Sequence, residues 1–264
     1  MNTPGQGAGA QVLALHSIGL DAHSFDWLRE AVGPEWRIRA FDQRGHGTRA
    51  QEAASSLDQY VDDAAEALAE CDEGAIHLLG HSMGGAVAAM LAARAGRARP
   101  GRIATLTLVS SPPRGLPAFS ERGAAVRAQG VPASVAPTMS RWFGPEAAKR
   151  DAAPQNYARS SLSVLRPEGL AGAWEALAQF PGYEDIAASL PPTLCIAAVD
   201  DLSTPPHAMQ AIVDAFDKAG AGSHIALTTL EAGGHMAPLF AAPELVDALR
   251  AHWLAYTTSS SLKH

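Results

Sequence analysis

The chain reads as an α/β protein built on a mostly parallel central sheet flanked by helices, and three observations carry that reading. Short apolar runs alternate with segments of helical apolar spacing, the rhythm of strands joined by crossover helices. The run Arg102-Ile-Ala-Thr-Leu-Thr-Leu-Val-Ser110 is almost continuously apolar, as expected of a strand covered on both faces. Ala75-Ile-His-Leu-Leu-Gly-His-Ser-Met-Gly-Gly-Ala-Val-Ala-Ala89 joins an apolar strand to an Ala-rich helix through an abrupt turn. With 264 residues and 47% hydrophobic composition, the chain is read as a single domain, 1–264, with ample material for its core.

Taken in order, Gln11–His16 is a compact apolar strand and Ser17–Asp21 a turn. Ser24–Val32 has helical apolar spacing and stops at Gly33-Pro34. A second strand, Arg37–Asp42, leads into the polar loop Gln43–Gly47. Leu57–Cys71 follows as an amphipathic helix with acids in its first turns, which suit the helix dipole. After the elbow segment and the Arg102–Ser110 strand the rhythm breaks. Residues 114–190 carry many prolines, Trp142 and Trp174, and short helical patterns without a clear strand, so they are read as an inserted helical cap. Thr193–Val199 restores the strand pattern, and a helix covers His207–Ala219. A last strand, His224–Leu230, precedes a helix over Pro243–Tyr256 and a polar tail, Thr257–His264.

Bulk properties exclude several classes. A net charge of −7 without long runs of either sign argues against nucleic-acid and membrane-surface partners. Residues 1–10 lack the basic start and apolar core of a secretory leader, and no apolar run is long enough for a bilayer, so the expected location is the cytoplasm. The two cysteines, Cys71 and Cys195, fit no metal or redox spacing. His77 and His81 have an i, i+4 spacing, but on a strand they lie about 13 Å apart, too far to share a metal. No cofactor is called for, and nothing in the sequence sets the oligomeric state.

Gly80-His-Ser-Met-Gly84 fits G-x-S-x-G, in which a serine sits on a tight strand-to-helix bend with its hydroxyl lifted clear of the sheet. The glycines are needed because strand and helix cross too closely there for Cβ atoms. A serine hydroxyl is a weak nucleophile and needs a base, and that base needs a partner to fix its tautomer. Two acids, Asp200 and Asp201, end the Thr193–Val199 strand, and His235 lies in the loop after the last strand. Either acid suits the role on position alone. The other is read as a solvated loop residue or an acid at a helix N-terminus. Charge developing on a carbonyl oxygen calls for backbone N–H donors, supplied by Met83 after the serine and by the His16–Gly19 loop, with Ile18 as the candidate.

The sequence resembles the α/β-hydrolase superfamily, and within it the 3-oxoadipate enol-lactonase-like serine hydrolases. The resemblance rests on Leu15-His-Ser-Ile-Gly19, Phe41-Asp-Gln-Arg-Gly-His-Gly47, Gly80–Gly85, Arg141-Trp-Phe143, Pro192-Thr-Leu194 with Thr204-Pro-Pro206, and Gly234-His-Met236. It implies an α/β-hydrolase fold and a catalytic trio of Ser82, Asp201 and His235, Asp201 being favoured because the acid stands three residues before a Thr-Pro pair. It implies a small ester or lactone as partner, with a carboxylate that Arg141 would pair and Trp142 as an apolar wall; the competing reading is a solvated arginine over a core tryptophan. Such relatives usually open with an antiparallel hairpin, and too few residues precede Gln11 to supply one, so a sheet without those strands is expected.

The same trio serves methyl-ester hydrolysis, carbon–carbon bond hydrolysis and cofactor-free perhydrolysis, so fold alone does not choose among them. A binding protein without catalysis is the rival from another class, and it would usually have lost one of the three residues. A dinucleotide site at Gly45-His-Gly-Thr-Arg-Ala50 is rejected, because the next strand ends at Gly80-His81 with no acid to hold a ribose.

Overall fold

The structure, a computed structural model, describes residues 9–147 and 149–257. Residues 1–8 of the Gly/Ala/Gln-rich start and residues 258–264 of the polar tail lie outside them. The strands are β1 (Ala10–Leu15), β2 (Trp36–Ala40), β3 (Ile76–His81), β4 (Ile103–Val109), β5 (Thr193–Ala198) and β6 (Ile225–Leu230). They form one sheet in the order β2-β1-β3-β4-β5-β6, and every pairing is parallel. Among the described residues no antiparallel strand joins it.

The helices are α1 (Asp26–Val32), α2 (Leu57–Ala69), α3 (Met83–Ala98), α4 (Pro117–Gln129), α5 (Val131–Ala147), α6 (Ala152–Ser163), α7 (Pro167–Ala178), α8 (Pro206–Lys218), α9 (Ala237–Phe240) and α10 (Pro243–Tyr256). The segment expected as a helix from Ser24 starts instead as a 3-10 turn, Ala22–Phe25, with the Asp21 side chain accepting from the His23 N–H. Four helices, α4 to α7, fill the stretch between β4 and β5, and Gly144 breaks the helical geometry of α5 at φ +55°.

The central strands β3 and β5 are buried at every position, as a sheet covered on both faces demands. Their side chains alternate between two cores. Leu13, Leu15, Leu78 and Cys195 pack with α2, α3 and α8, whereas Val12, Ala14, Leu79 and Ile196 pack with α1 and α10. Cap residues Phe119, Trp142, Leu162 and Leu170 belong to the first of these cores.

This topology places a site before any side chain is considered. From β1 the chain steps outward to β2 and then returns to the other side of β1 with β3. The order therefore reverses between β1 and β3, and in open parallel sheets the crevice at the carboxyl ends of such strands is where ligands bind. The His16–Gly19 loop follows β1 and Ser82 follows β3.

Candidate active site

Ser82 occupies the bend between β3 and α3 at φ +54°, a conformation that an L-residue adopts only when its surroundings enforce it. Enforcement comes from close backbone crossing. A Cβ at Gly84 would collide with the Leu15 carbonyl, and one at Gly80 with the backbone of Gly85. The glycines thus let α3 sit directly against β1, and Met83 begins that helix, where N–H groups have no intrahelical acceptor.

The structure brings Ser82, His235 and Asp201 together. His235 Nε2 lies 3.0 Å from Ser82 Oγ, and His235 Nδ1 lies 3.0 Å from Asp201 Oδ2. The second carboxylate oxygen of Asp201 accepts the Ser203 and Thr204 N–H groups at 2.7 and 2.8 Å. Burial pushes the Asp201 carboxyl up, but the His235 ring and the Thr204 N–H outweigh it and hold it below the ordinary carboxylate range. Asp201 is therefore an acceptor, so His235 Nδ1 carries the proton and Nε2 presents its lone pair to the serine.

Asp200 is not a solvated residue, nor does it stand in a helix N-terminus. Its half-buried carboxylate accepts the Gly234 N–H at 2.8 Å and reaches the Gly233 N–H at 3.4 Å. The turn that presents His235 is thus fixed by the acid next to the one that binds its ring. His81 secures the same loop from below, donating its Nε2–H to the His235 carbonyl at 2.7 Å. Burial, aided by the neighbouring His235, pushes His81 down to about 3, so it remains neutral.

The loop after β1 is held by two more histidines. His16 Nδ1 donates to the Ser17 carbonyl at 2.8 Å while its Nε2 accepts the Gln43 N–H at 2.9 Å. His46 Nδ1 donates to the Arg44 carbonyl at 2.8 Å while its Nε2 accepts the Gly19 N–H at 3.0 Å. Each ring needs one protonated and one free nitrogen, and burial keeps both neutral, at about 4 and about 3. The Ser17 carbonyl also accepts the Leu20 N–H, so it is turned back into its own loop. In a trans peptide the N–H points opposite to the C=O, which directs the Ile18 N–H away from those two donors.

Ser17, Ile18, Ser82 and His235 line a cavity of about 20 Å³, roofed by Phe119, Arg122, Trp142, Trp174 and Leu177 from the cap. Trp142 also packs on the β1 loop, where a Cβ at Gly19 would stand 2.5 Å from its ring. Arg141 is elsewhere: it lines a neighbouring cap cavity of about 220 Å³ and donates to Thr138 Oγ1 at 3.0 Å. The arginine on the serine cavity is Arg122, which the sequence did not single out. Arg122 carries no motif, whereas the histidine latches His16, His46 and His81 all fall inside segments of the resemblance, although their latching role is not written in those segments.

Fold and site together define an α/β protein with a serine elbow at the switch point of a parallel sheet, beneath a helical cap. Over residues 12–249 the sequence matches the alpha/beta hydrolase family, and the chain belongs to it. It is 29% identical over 191 residues to 3-oxoadipate enol-lactonase 1 of Acinetobacter baylyi, covering 70% of this chain and 69% of that protein. It is 32% identical over 173 residues to the dihydrolipoyllysine-residue acetyltransferase component of the acetoin cleaving system of Pseudomonas putida. That match takes in 65% of this chain but only 44% of the relative, so the chain corresponds to less than half of that protein's length. Among solved structures, a thermophilic esterase from Thermogutta terrifontis superposes with a TM-score of 0.80 at 25% identity, over 95% of this chain and 92% of the esterase. No helix among the described residues is long and apolar enough to cross a membrane.

Proposed function

We propose that the protein is a serine hydrolase that cleaves a carboxylic ester or lactone through an acyl-enzyme, with Ser82, His235 and Asp201 as its catalytic residues. The observation that carries this reading is the pair of 3.0 Å contacts linking Ser82 Oγ to His235 and His235 to Asp201, at the mouth of a cavity. His235 Nε2 takes the serine proton as Oγ attacks the carbonyl carbon, and Asp201 stabilises the imidazolium that results. The Met83 and Ile18 N–H groups receive the charge on the carbonyl oxygen, each donor of this kind being worth about 2.7–4 kcal/mol. Collapse passes the proton to the leaving oxygen, and water repeats the attack on the acyl group.

The likeness to an enol-lactonase and to an esterase supports esters and lactones as the first substrates to try. Reaction with a 4-nitrophenyl ester, followed by acid quench and mass spectrometry, tests the mechanism. An acyl group on the peptide containing Ser82, absent from Ser82→Ala, is expected. Turnover of the ester without an adduct on that peptide would contradict it.

A further inference from the structure

The Ser82 carbonyl belongs to the same peptide as the Met83 N–H, and it is held from two sides. It accepts the Gly85 N–H at 2.9 Å, within the first turn of α3, and the Ser111 hydroxyl at 3.2 Å, from the chain that leaves β4. Ser111 Oγ also lies 3.2 Å from the Tyr183 hydroxyl. Donor and acceptor follow from the end of this chain. A carbonyl oxygen has no proton to give, so the Ser111 O–H is spent on Ser82 and the Tyr183 O–H donates to the Ser111 oxygen. Burial pushes the Tyr183 phenol far above its ordinary range, which keeps that proton in place.

Each link is fixed by its surroundings. Ser111 and Tyr183 are fully buried. Ser110, just ahead of Ser111, has φ +49°, a left-handed conformation that an L-residue adopts only under constraint. Past that bend Ser111 lies so close to the elbow that a Cβ at Gly85 would collide with its hydroxyl. The Ser111 N–H points at Met209 Sδ of α8 at 3.2 Å. Tyr183 lies edge-on to Phe180, with ring centroids 5.3 Å apart, and its carbonyl accepts the Ala187 N–H at 2.8 Å. The Phe180 carbonyl accepts the Gly115 N–H at 2.7 Å, so the chain entering the cap is tied to the chain leaving it just before Tyr183.

An apolar pair of similar shape would fill this space with no polar group to satisfy. What the hydroxyls add is direction. In a trans peptide the N–H is antiparallel to the C=O, so donors that fix the Ser82 carbonyl fix the Met83 N–H as well. Hydrogen bonds on a carbonyl draw electron density from the peptide nitrogen and strengthen its N–H as a donor, and two hydroxyls in series polarise it more than one. Charge on the substrate oxygen would be received at the Met83 N–H, where a small change in aim or polarity is read directly in the rate.

We propose that Ser111 and Tyr183 are positioning residues for the oxyanion site: the relay from the Tyr183 hydroxyl through the Ser111 hydroxyl to the Ser82 carbonyl orients and polarises the peptide that presents the Met83 N–H. This rests on the function proposed above. Neither residue lines the serine cavity, so both act through the backbone of the elbow. The relay starts at the root of the cap and ends at the nucleophile.

The test uses the full chain carrying Ser111→Ala, Tyr183→Phe or both, each checked for folding by its melt, with 4-nitrophenyl butyrate as substrate. Ser111→Ala should lower kcat about tenfold, less than the roughly 10²–10³ lost when such a donor is removed outright, with KM within about twofold of the parent. Tyr183→Phe should lower kcat about threefold. The double variant should match Ser111→Ala, because Tyr183 acts only through Ser111. Inhibition by butylboronic acid, whose tetrahedral adduct places an oxygen in the oxyanion site, should weaken by the same factors as kcat. An unchanged kcat in Ser111→Ala, a loss carried by KM, or losses that simply add in the double variant overturns the proposal while leaving the hydrolase reading intact.

A second readout is free of activity, since the chain has only six methionines. In protein labelled with 15N-methionine, the Met83 amide resonance, assigned through Met83→Leu, should shift in Ser111→Ala and, less far, in Tyr183→Phe. If Ser111→Ala does not fold, Tyr183→Phe, which keeps the ring, decides by its kcat and this shift. If the native protein cleaves no ester, the hydrolase reading fails and the shift alone decides: a Met83 resonance that moves in Tyr183→Phe supports the relay, and one that does not move overturns it.

Discussion

The Asp200 carboxylate accepts the Gly234 N–H at 2.8 Å, one residue before the imidazole that Asp201 engages through Nδ1 at 3.0 Å. Adjacent acids on the loop after β5 thus grip adjacent residues on the loop after β6, one by backbone and one by ring. The two substitutions should separate. Asp201→Asn offers an amide N–H or an uncharged oxygen to a ring that needs a carboxylate, and should lower kcat about 10⁴-fold with little change in fold. Asp200→Asn weakens charge-assisted bonds to backbone and should lower kcat about tenfold, with a stability loss of about 1–2 kcal/mol. Steady-state rates and denaturant melts on both variants check this, and the reverse ranking of rates would reassign the acid.

Stability should fall on mild acidification. Burial holds His16 and His77 down to about 4, and His46 and His81 down to about 3, below the ordinary value of 6.5. The unfolded chain therefore takes up protons that the native protein refuses as pH drops below about 6.5. Each such histidine removes up to about 1.4 kcal/mol per pH unit until its native value is reached. Asp201 acts in a lower window: its depressed carboxyl stabilises the fold above the unfolded value of 3.8 and is lost only as pH falls further. Urea melts should show several kcal/mol lost between pH 7 and pH 5. A flat profile across that interval would mean that these rings are not held neutral.

Gly19 should tolerate no side chain while Trp142 lies against it. Its φ of +85° disfavours an L-residue, and a Cβ would stand 2.5 Å from the Trp142 ring. Gly19→Ala should destabilise by about 2–4 kcal/mol and depress activity by displacing the Ile18 N–H. Combining it with Trp142→Ala should recover part of the stability loss, because only the steric component is relieved. Strict additivity of the two changes, measured in melts, would exclude the contact.

Asp63 anchors the loop that carries His46. Its nearly buried carboxylate accepts two bonds from Arg44, at 2.7 and 2.8 Å, and one from Arg49 at 2.9 Å. Asp63→Ala would leave two partly buried guanidiniums without that partner and should cost about 3 kcal/mol. Activity should fall with it, since His46 fixes Gly19 beside the candidate oxyanion donor. A variant as stable and active as the parent would show that the loop is held by other means.

The sheet and its elbow were legible because their signals are local. Continuous apolar runs announce buried parallel strands, and Gly80, Ser82 and Gly84 sit within one turn of one another. His235 and the acid pair were legible from their position after two strands. Asp200 was misread because the Gly234 N–H it binds lies 34 residues away, and nothing near Asp200 reports that bond. Arg122 was overlooked for the same reason: α4 has no amphipathic pattern to fix its inward face, and only the packing of Phe119 and Trp174 brings the guanidinium to the cavity. The Arg-Trp-Phe segment placed attention on Arg141 and Trp142, and of these only Trp142 lies over the serine.

The account turns on Ser82 being activated by His235. Native protein treated with a fluorophosphonate probe and digested should yield one labelled peptide, modified at Ser82. His235→Ala, folded by its melt, should label at least a hundredfold more slowly. Folded native protein that takes no label at Ser82, or labelling that survives the loss of His235 at full rate, would contradict it.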